Sequence, residues 1–237
     1  MLAKFRKALG AGPQPALGPV HPTHPGWGEY TGTLELASGD RLRLRPLTFR
    51  DGKDWCLQRQ ADWEFLEPVE PTVEETWAQA HSIAAWRGYF FTLRQSAEAG
   101  FVVPLVIEVN GDFAGQVTLG NIQRGIVSEC WIGYWVFSQY HRRGIATAAC
   151  ALGTDHAFSR IGLHRVTATY LPENEASGKV LAHSGFRKEG YLKSNLHING
   201  RWRDHVLVAL TEDEFVDSCT GRLIASGAAR RVTGDEV

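Results

Sequence analysis

The stretch that most constrains this chain is 131–158, WIGYWVFSQYHRRGIATAACALGTDHAF. Its first part, Trp131–Phe137, is an apolar run with the make-up of a buried strand. A turn carrying Arg142, Arg143 and Gly144 follows, and then a small-residue helical stretch, Ala146–Phe158. A helix opening straight out of such a turn leaves its first backbone N–H groups without carbonyl partners and aims them at one point. Phosphate is attracted to that point, and two arginines add charge and donors. Gly144 removes the Cβ that would hold a ligand off the backbone. Read alone, the same residues also describe an ordinary basic strand-to-helix turn, since short Gly/Arg motifs recur widely.

Length and charge narrow the field. A chain of 237 residues can form one domain with extensions, and 43% hydrophobic residues supply a sizeable core. The net charge of −1 argues against a dedicated nucleic-acid binder, so the positive charge at Arg142 and Arg143 is local. Cys56, Cys130, Cys150 and Cys219 include no CxxC pair, so neither a zinc site nor a disulfide framework is expected. Cys130 and Cys150 read as buried thiols, which fits a reducing cytoplasm. No apolar run approaches the ~18 residues of a membrane span. The basic start MLAKFRKALG lacks the continuous apolar core of a signal peptide and reads as a short amphipathic helix.

Along the chain, residues 11–26 hold five prolines and read as an extended arm. His21 and His24 sit in that arm, which fixes no geometry for a metal. Tyr30–Leu36 and Arg41–Leu47 form a hairpin. Thr48 caps a helix from Phe49 to Gln60. Asp62–Pro71 reads as irregular, and Thr72-Val73-Glu74-Glu75 as the capping box of a helix running to Ala97. Asn110-Gly111 joins the strands Val102–Val109 and Phe113–Leu119. Ser128–Phe137 and Leu163–Leu171 are strands, Asn174–His183 is a helix, and Arg187–Leu196 with Trp202–Leu210 forms a hairpin over Asn199-Gly200. Thr211 caps a last short helix. The division is an N-terminal extension at 1–28, a domain at 29–218 and a flexible tail at 219–237. This order of elements is that of an α/β sandwich.

The turn resembles the acetyl-CoA pyrophosphate loop of the GNAT acetyltransferases, Gln/Arg-x-x-Gly-x-Gly/Ala. Gly144 and Ala146 fit that pattern, and His141 stands where the family has Gln or Arg. Asn174-Glu175-Ala176-Ser177 and Gly185-Phe186 follow further on. The order IGYW, HRRGIATA, LHRVTATYLPENEAS, SGFRKEGYL resembles the RimJ/RimL branch, the ribosomal-protein-alanine N-acetyltransferases, over about residues 40–212. The resemblance implies the GNAT fold: a mixed, mostly antiparallel sheet with helices on both faces, split between the strands flanking the loop. It implies acetyl-CoA as co-substrate, with no metal. The cofactor would be held by His141, Arg142, Arg143, Gly144, Ile145, Ala146 and Thr147. Val136 and Phe137 would pair through backbone with its pantetheine arm, and Asn174 and Ser177 would complete the site.

The chemistry needs a neutral amine, a stabilised oxyanion and a protonated leaving thiolate. An α-amine, with pKa ~7.7–8.0, is easier to neutralise than a lysine near ~10.4. A main-chain N–H on the strand serves the oxyanion, and by spacing in related enzymes it is that of Tyr134. Asn174 and Ser177 share a helix face. Ser177 is the general acid, and Asn174 binds pantetheine or simply caps the helix. Glu129 is the main base candidate, against a reading as a strand-end glutamate; Glu67, Glu70 and His197 are the others. Trp63, Glu67 and Glu70 form the acceptor wall, unless that segment is only a solvated acidic loop. His156, His164, His183 and His205 read as structural. No Gly-x-Ser-x-Gly elbow or Gly-x-x-x-x-Gly-Lys-Ser/Thr loop exists, which disfavours a serine hydrolase and a P-loop NTPase.

The resulting expectation is a cytoplasmic N-acetyltransferase acting on a protein N-terminus, such as that of a ribosomal protein, as a monomer or homodimer without nucleic-acid or membrane partners. Two alternatives stand beside it. One is a GNAT enzyme for a small amine: an aminoglycoside, polyamine or amino acid. The other is a non-catalytic acyl-CoA-binding regulator.

Overall fold

The computed structural model describes residues 14–15, 27–214 and 218–232. The basic helix expected at the N-terminus and most of the proline-rich arm, with His21 and His24, lie outside the described residues. Gln14–Pro15 pair in parallel with Glu29–Tyr30.

Among the described residues nine strands form the main sheet: β1 (Leu34–Leu36), β2 (Arg41–Pro46), β3 (Val103–Val109), β4 (Asp112–Gln123), β5 (Glu129–Val136), β6 (Arg165–Tyr170), β7 (Arg187–Ile198), β8 (Arg201–Thr211) and β9 (Ala229–Arg231). Their spatial order is β9-β1-β2-β3-β4-β5-β6-β8-β7. All neighbours run antiparallel except β5 and β6, which are parallel. That one parallel pair is short. Only Glu129–Trp131 of β5 face Arg165–Thr167 of β6, and beyond them the two strands part.

Helices cover both faces. On one, α5 (Ile145–His156), α6 (Glu175–His183) and α7 (Cys219–Ala225) share a core with Leu42, Leu105, Val117 and Ile132. On the other, α1 (Gly52–Ala61) and α4 (Ile83–Glu98) pack Trp55, Trp86 and Phe90 against Val106 and Phe113. The turn at Asn110-Gly111 has φ of 54° and 94°, as a two-residue hairpin needs.

Three expectations are corrected. Asp62–Pro71 is not irregular: α2 (Trp63–Leu66) and a 3-10 turn (Glu67–Val69) fill it. The helix expected from Thr72 to Ala97 starts later and is broken. Thr76 and Gln79 form the capping box of α3 (Trp77–Ala80), and Ser82 caps α4 afresh. Thr72 instead accepts a bond from the Gly200 N–H at 2.8 Å, tying this segment to the β7–β8 hairpin. Finally, the fold does not end at 218. Asp155 of α5 accepts bonds from the Cys219 N–H at 2.7 Å and the Thr220 hydroxyl at 2.6 Å, which docks α7, and β9 adds an edge strand.

Candidate active site

Where β5 and β6 part, a cleft of about 800 Å³ opens. Within an antiparallel ladder, backbone groups alternate between the two edges of a strand. The Phe137 N–H donates to the Ala114 carbonyl of β4 at 2.9 Å, so the N–H and C=O of Tyr134 and Val136 point the other way, into the opening. With β6 gone, no strand among the described residues pairs with this edge of Tyr134. Phe137 is thereby corrected: its N–H is spent within the sheet and it does not line the cleft.

At the C-terminal end of β5 the chain turns through the 3-10 turn Ser138–Tyr140 and enters α5. Gly144 is the N-cap, with φ of 79°, a left-handed value that favours glycine. No side chain caps this end. Gly144, Ile145, Ala146 and Thr147 therefore line the cleft with helix-terminal N–H groups and the positive end of the dipole, a seat that fits a pyrophosphate. His141 also lines the cleft, and its imidazole donates from Nε2 to the Val136 carbonyl at 2.8 Å. It thus braces the turn against the strand.

The two arginines differ. Arg142 lines the cleft and is exposed. Arg143 does not; its Nε bonds the buried Asp40 at 2.8 Å, clamping the loop to the β1–β2 turn. Burial works against the Asp40 carboxylate, but hydrogen bonds from Ser38, Arg143 and Asn110 hold its pKa below the usual range. Arg143 is therefore a structural clamp and not a free phosphate ligand.

The opposite wall comes from α6. Asn174 is its N-cap, the side-chain oxygen accepting from the Ser177 N–H at 3.1 Å, and its amide nitrogen is left for the cleft. The Ser177 hydroxyl lies 3.2 Å from the Tyr134 hydroxyl, which reaches across from β5. Burial pushes the Tyr134 phenol well above its ordinary value, so it stays protonated and can donate.

Glu129 is not part of this arrangement. It lies at the start of β5, outside the cleft lining, about 16 Å along an extended strand from Tyr134. Its carboxylate pairs with Arg165 at 3.4 Å. Of the acceptor-side residues, Trp63 and Glu67 do not line the cleft either, whereas Glu70 does. His197 is also outside it, bonded through Nδ1 to the Thr72 hydroxyl at 2.9 Å.

The acetyltransferase (GNAT) domain family matches residues 41–187. The chain belongs to the GNAT acetyltransferases. This GNAT enzyme is 33% identical over 176 residues to the ribosomal protein uS5-alanine N-acetyltransferase of Escherichia coli (strain K12), covering 74% of this chain and 90% of that one. It is 26% identical over 188 residues to the spermidine N(1)-acetyltransferase of the same strain, covering 76% and 91%. Among solved structures, Mycobacterium smegmatis RimJ in complex with CoA-disulfide superposes with a TM-score of 0.86 at 45% identity, covering 88% of this chain and all of that one (100%). Among the described residues, no helix is long and apolar enough to cross a membrane, and no group of three or more His, Cys, Asp or Glu is placed to hold a metal ion.

Two residues of this GNAT site escaped the sequence reading. Asp62, buried at the start of α2, accepts from the Ser138 N–H at 2.7 Å and its hydroxyl at 2.6 Å, binding α2 to the turn that leads into α5. Its position after the helix Gly52–Ala61 carries no local signal, because the partner is 76 residues away. Arg59 reads as one more polar residue of an exposed helix, yet it is 6% exposed.

Proposed function

We propose that this enzyme transfers the acetyl group of acetyl-CoA to the α-amine of a protein N-terminus, of the ribosomal-protein class named for its relatives. The names support a protein acceptor: the E. coli relative is a ribosomal protein uS5-alanine N-acetyltransferase, and the M. smegmatis neighbour is RimJ. The observation that carries the choice is charge. Among the described residues only two carboxylates line the cleft, Glu70 and Glu173, and each is paired with an arginine, Arg59 and Arg203. A polyamine, with several cations to bind, needs more acid than two arginine-paired carboxylates leave. A single α-amine needs only one partner, which Glu70 can be while Arg59 holds it.

When bound, acetyl-CoA supplies an activated acetyl group and leaves as a thiol. The α5 N-terminus with Arg142 holds the pyrophosphate end, and Asn174 and Val136 hold the arm leading into the split. The Tyr134 N–H meets the acetyl oxygen and stabilises the charge that grows there. Ser177 gives a proton to the departing sulfur and is restored by the proton the amine nitrogen loses as the amide forms, while the Tyr134 hydroxyl, hydrogen-bonded to Ser177, stays protonated. Glu70 orients the incoming amine. An α-amine with pKa ~7.7–8.0 is already part neutral near pH 7, so orientation asks more of this carboxylate than proton abstraction does.

A screen of CoA release with N-terminal peptides, spermidine and aminoglycosides tests the reading. Peptide-selective release is expected. Release with the polyamines alone would overturn it.

A further inference from the structure

Arg59 is a buried cation with an unusual enclosure. Its guanidinium carbon lies 5.1, 5.3 and 5.2 Å from the ring centres of Trp55, Trp77 and Trp135. The Trp77 indole N–H donates to the Arg59 carbonyl at 2.7 Å, so the α1 and α3 backbones close around it. The buried Nε has no hydrogen-bond partner among the described residues. The charged neighbours are few. His81 packs on Trp77 and is held neutral, its pKa lowered to about 4 by burial and by the Arg59 charge. Tyr89, stacked on Trp55, also stays neutral, because burial raises its pKa. Among the described residues the charge that answers Arg59 is the Glu70 carboxylate on the cleft wall.

Burying a cation is costly unless its geometry is used, and a hydrophobic residue of similar volume would pack this layer as well. Arginine is suited to the place because its flat guanidinium stacks on rings while one edge binds carboxylate. The cage fixes the cation, and the cation fixes Glu70, whose side chain is 22% exposed and would otherwise follow its short 3-10 turn into solvent. Trp135 belongs to both structures: it stacks on Arg59 and lines the cleft one residue after Tyr134.

We propose that Arg59 is a positioning residue for the acceptor amine: held by three tryptophans, it sets the Glu70 carboxylate that receives the ammonium group. This rests on the acceptor-side reading of Glu70 given above. Arg59 does not itself line the cleft, so it acts there through the groups it holds, Glu70 by charge and Trp135 by stacking.

The test is a double-mutant cycle of Arg59→Met and Glu70→Gln, read as peptide KM, kcat and the calorimetric Kd of acetyl-CoA. Each single change should raise peptide KM about tenfold and leave the acetyl-CoA Kd within about twofold, and the double variant should be no worse than the worse single one. Effects that multiply in the double variant, or that fall on acetyl-CoA binding, would overturn the proposal. Should Arg59→Met fail to melt cooperatively, Arg59→Lys keeps the charge but shortens the reach, and must still raise peptide KM. The two readings fail differently. An unchanged peptide KM in Glu70→Gln removes the acceptor role of Glu70 and this inference with it. A damaged Glu70→Gln beside an unaffected, folded Arg59→Lys and Arg59→Met removes Arg59 alone.

Discussion

The hydroxyl of Tyr134 on β5 stands 3.2 Å from the hydroxyl of Ser177 on α6, across the mouth of the split between β5 and β6. The strand thus brings two things to one place: a backbone N–H that faces the opening and a buried phenol that burial keeps protonated. Ser177→Ala should lower kcat by roughly 10–100-fold at every pH, because a hydroxyl acid does not titrate in the working range. Tyr134→Phe keeps the backbone N–H and should lower kcat by less, with the acetyl-CoA Kd unchanged. Steady-state kinetics with calorimetry reads both. An undiminished kcat in Ser177→Ala would remove the proton donor from this scheme.

The phosphate seat is tested at Gly144. An aspartate there would face a left-handed φ of 79° and put a negative charge among the N–H groups of α5. Gly144→Asp should weaken CoA binding by several-fold or more. Gly144→Ala, with the strain but not the charge, should cost about 1–2 kcal/mol of stability and less affinity. Calorimetry and thermal melting separate the two effects, and equal CoA affinity in wild type and Gly144→Asp would refute the seat.

Much of this was legible in the sequence because it is local. The strand, turn and helix of 131–158 are contiguous, so the loop and the uncapped helix end could be read together, while the opening beside the strand came from the family resemblance. Asn174 and Ser177, one turn apart, were legible for the same reason. What was not legible depends on partners far along the chain. Arg142 and Arg143 look alike in sequence, and only Asp40, 103 residues from Arg143, makes one a clamp and leaves the other at the cleft. Glu129 shares a strand with Tyr134, and spacing alone could not say that the split begins only after Trp131. The segment Asp62–Pro71 looked irregular because its order comes from outside it, through Thr72 and Gly200, Asp62 and Ser138, Glu70 and Arg59.

That correction at Glu129 has a direct consequence. Glu129→Gln should leave kcat/KM unchanged from pH 6 to 9, since the carboxylate lies outside the cleft. Arg165 keeps Glu189 as a second partner, so the stability change should stay within about 0.5 kcal/mol. A rate loss largest at low pH would instead return Glu129 to the role of base.

His81 makes stability depend on acid. Burial, with the Arg59 charge, lowers its folded pKa from 6.5 to about 4. Below pH 6.5 the unfolded chain binds a proton that the folded chain refuses, so stability falls as pH drops and the loss levels off near pH 4. His81→Gln should flatten the curve of denaturation midpoint against pH across that window. An unaltered slope would show that His81 is not the group responsible.

The central claim is acetyl transfer to an α-amine at the N-terminus of a protein. It is tested most directly by incubating the enzyme and acetyl-CoA with an equimolar mixture of a ribosomal-protein N-terminal peptide containing an internal lysine, and spermidine. The products are then located by fragmentation mass spectrometry. The account predicts one acetyl group on the peptide α-amine, with the lysine and the spermidine left free. Acetyl on spermidine with the peptide untouched, or on the lysine side chain, would contradict it.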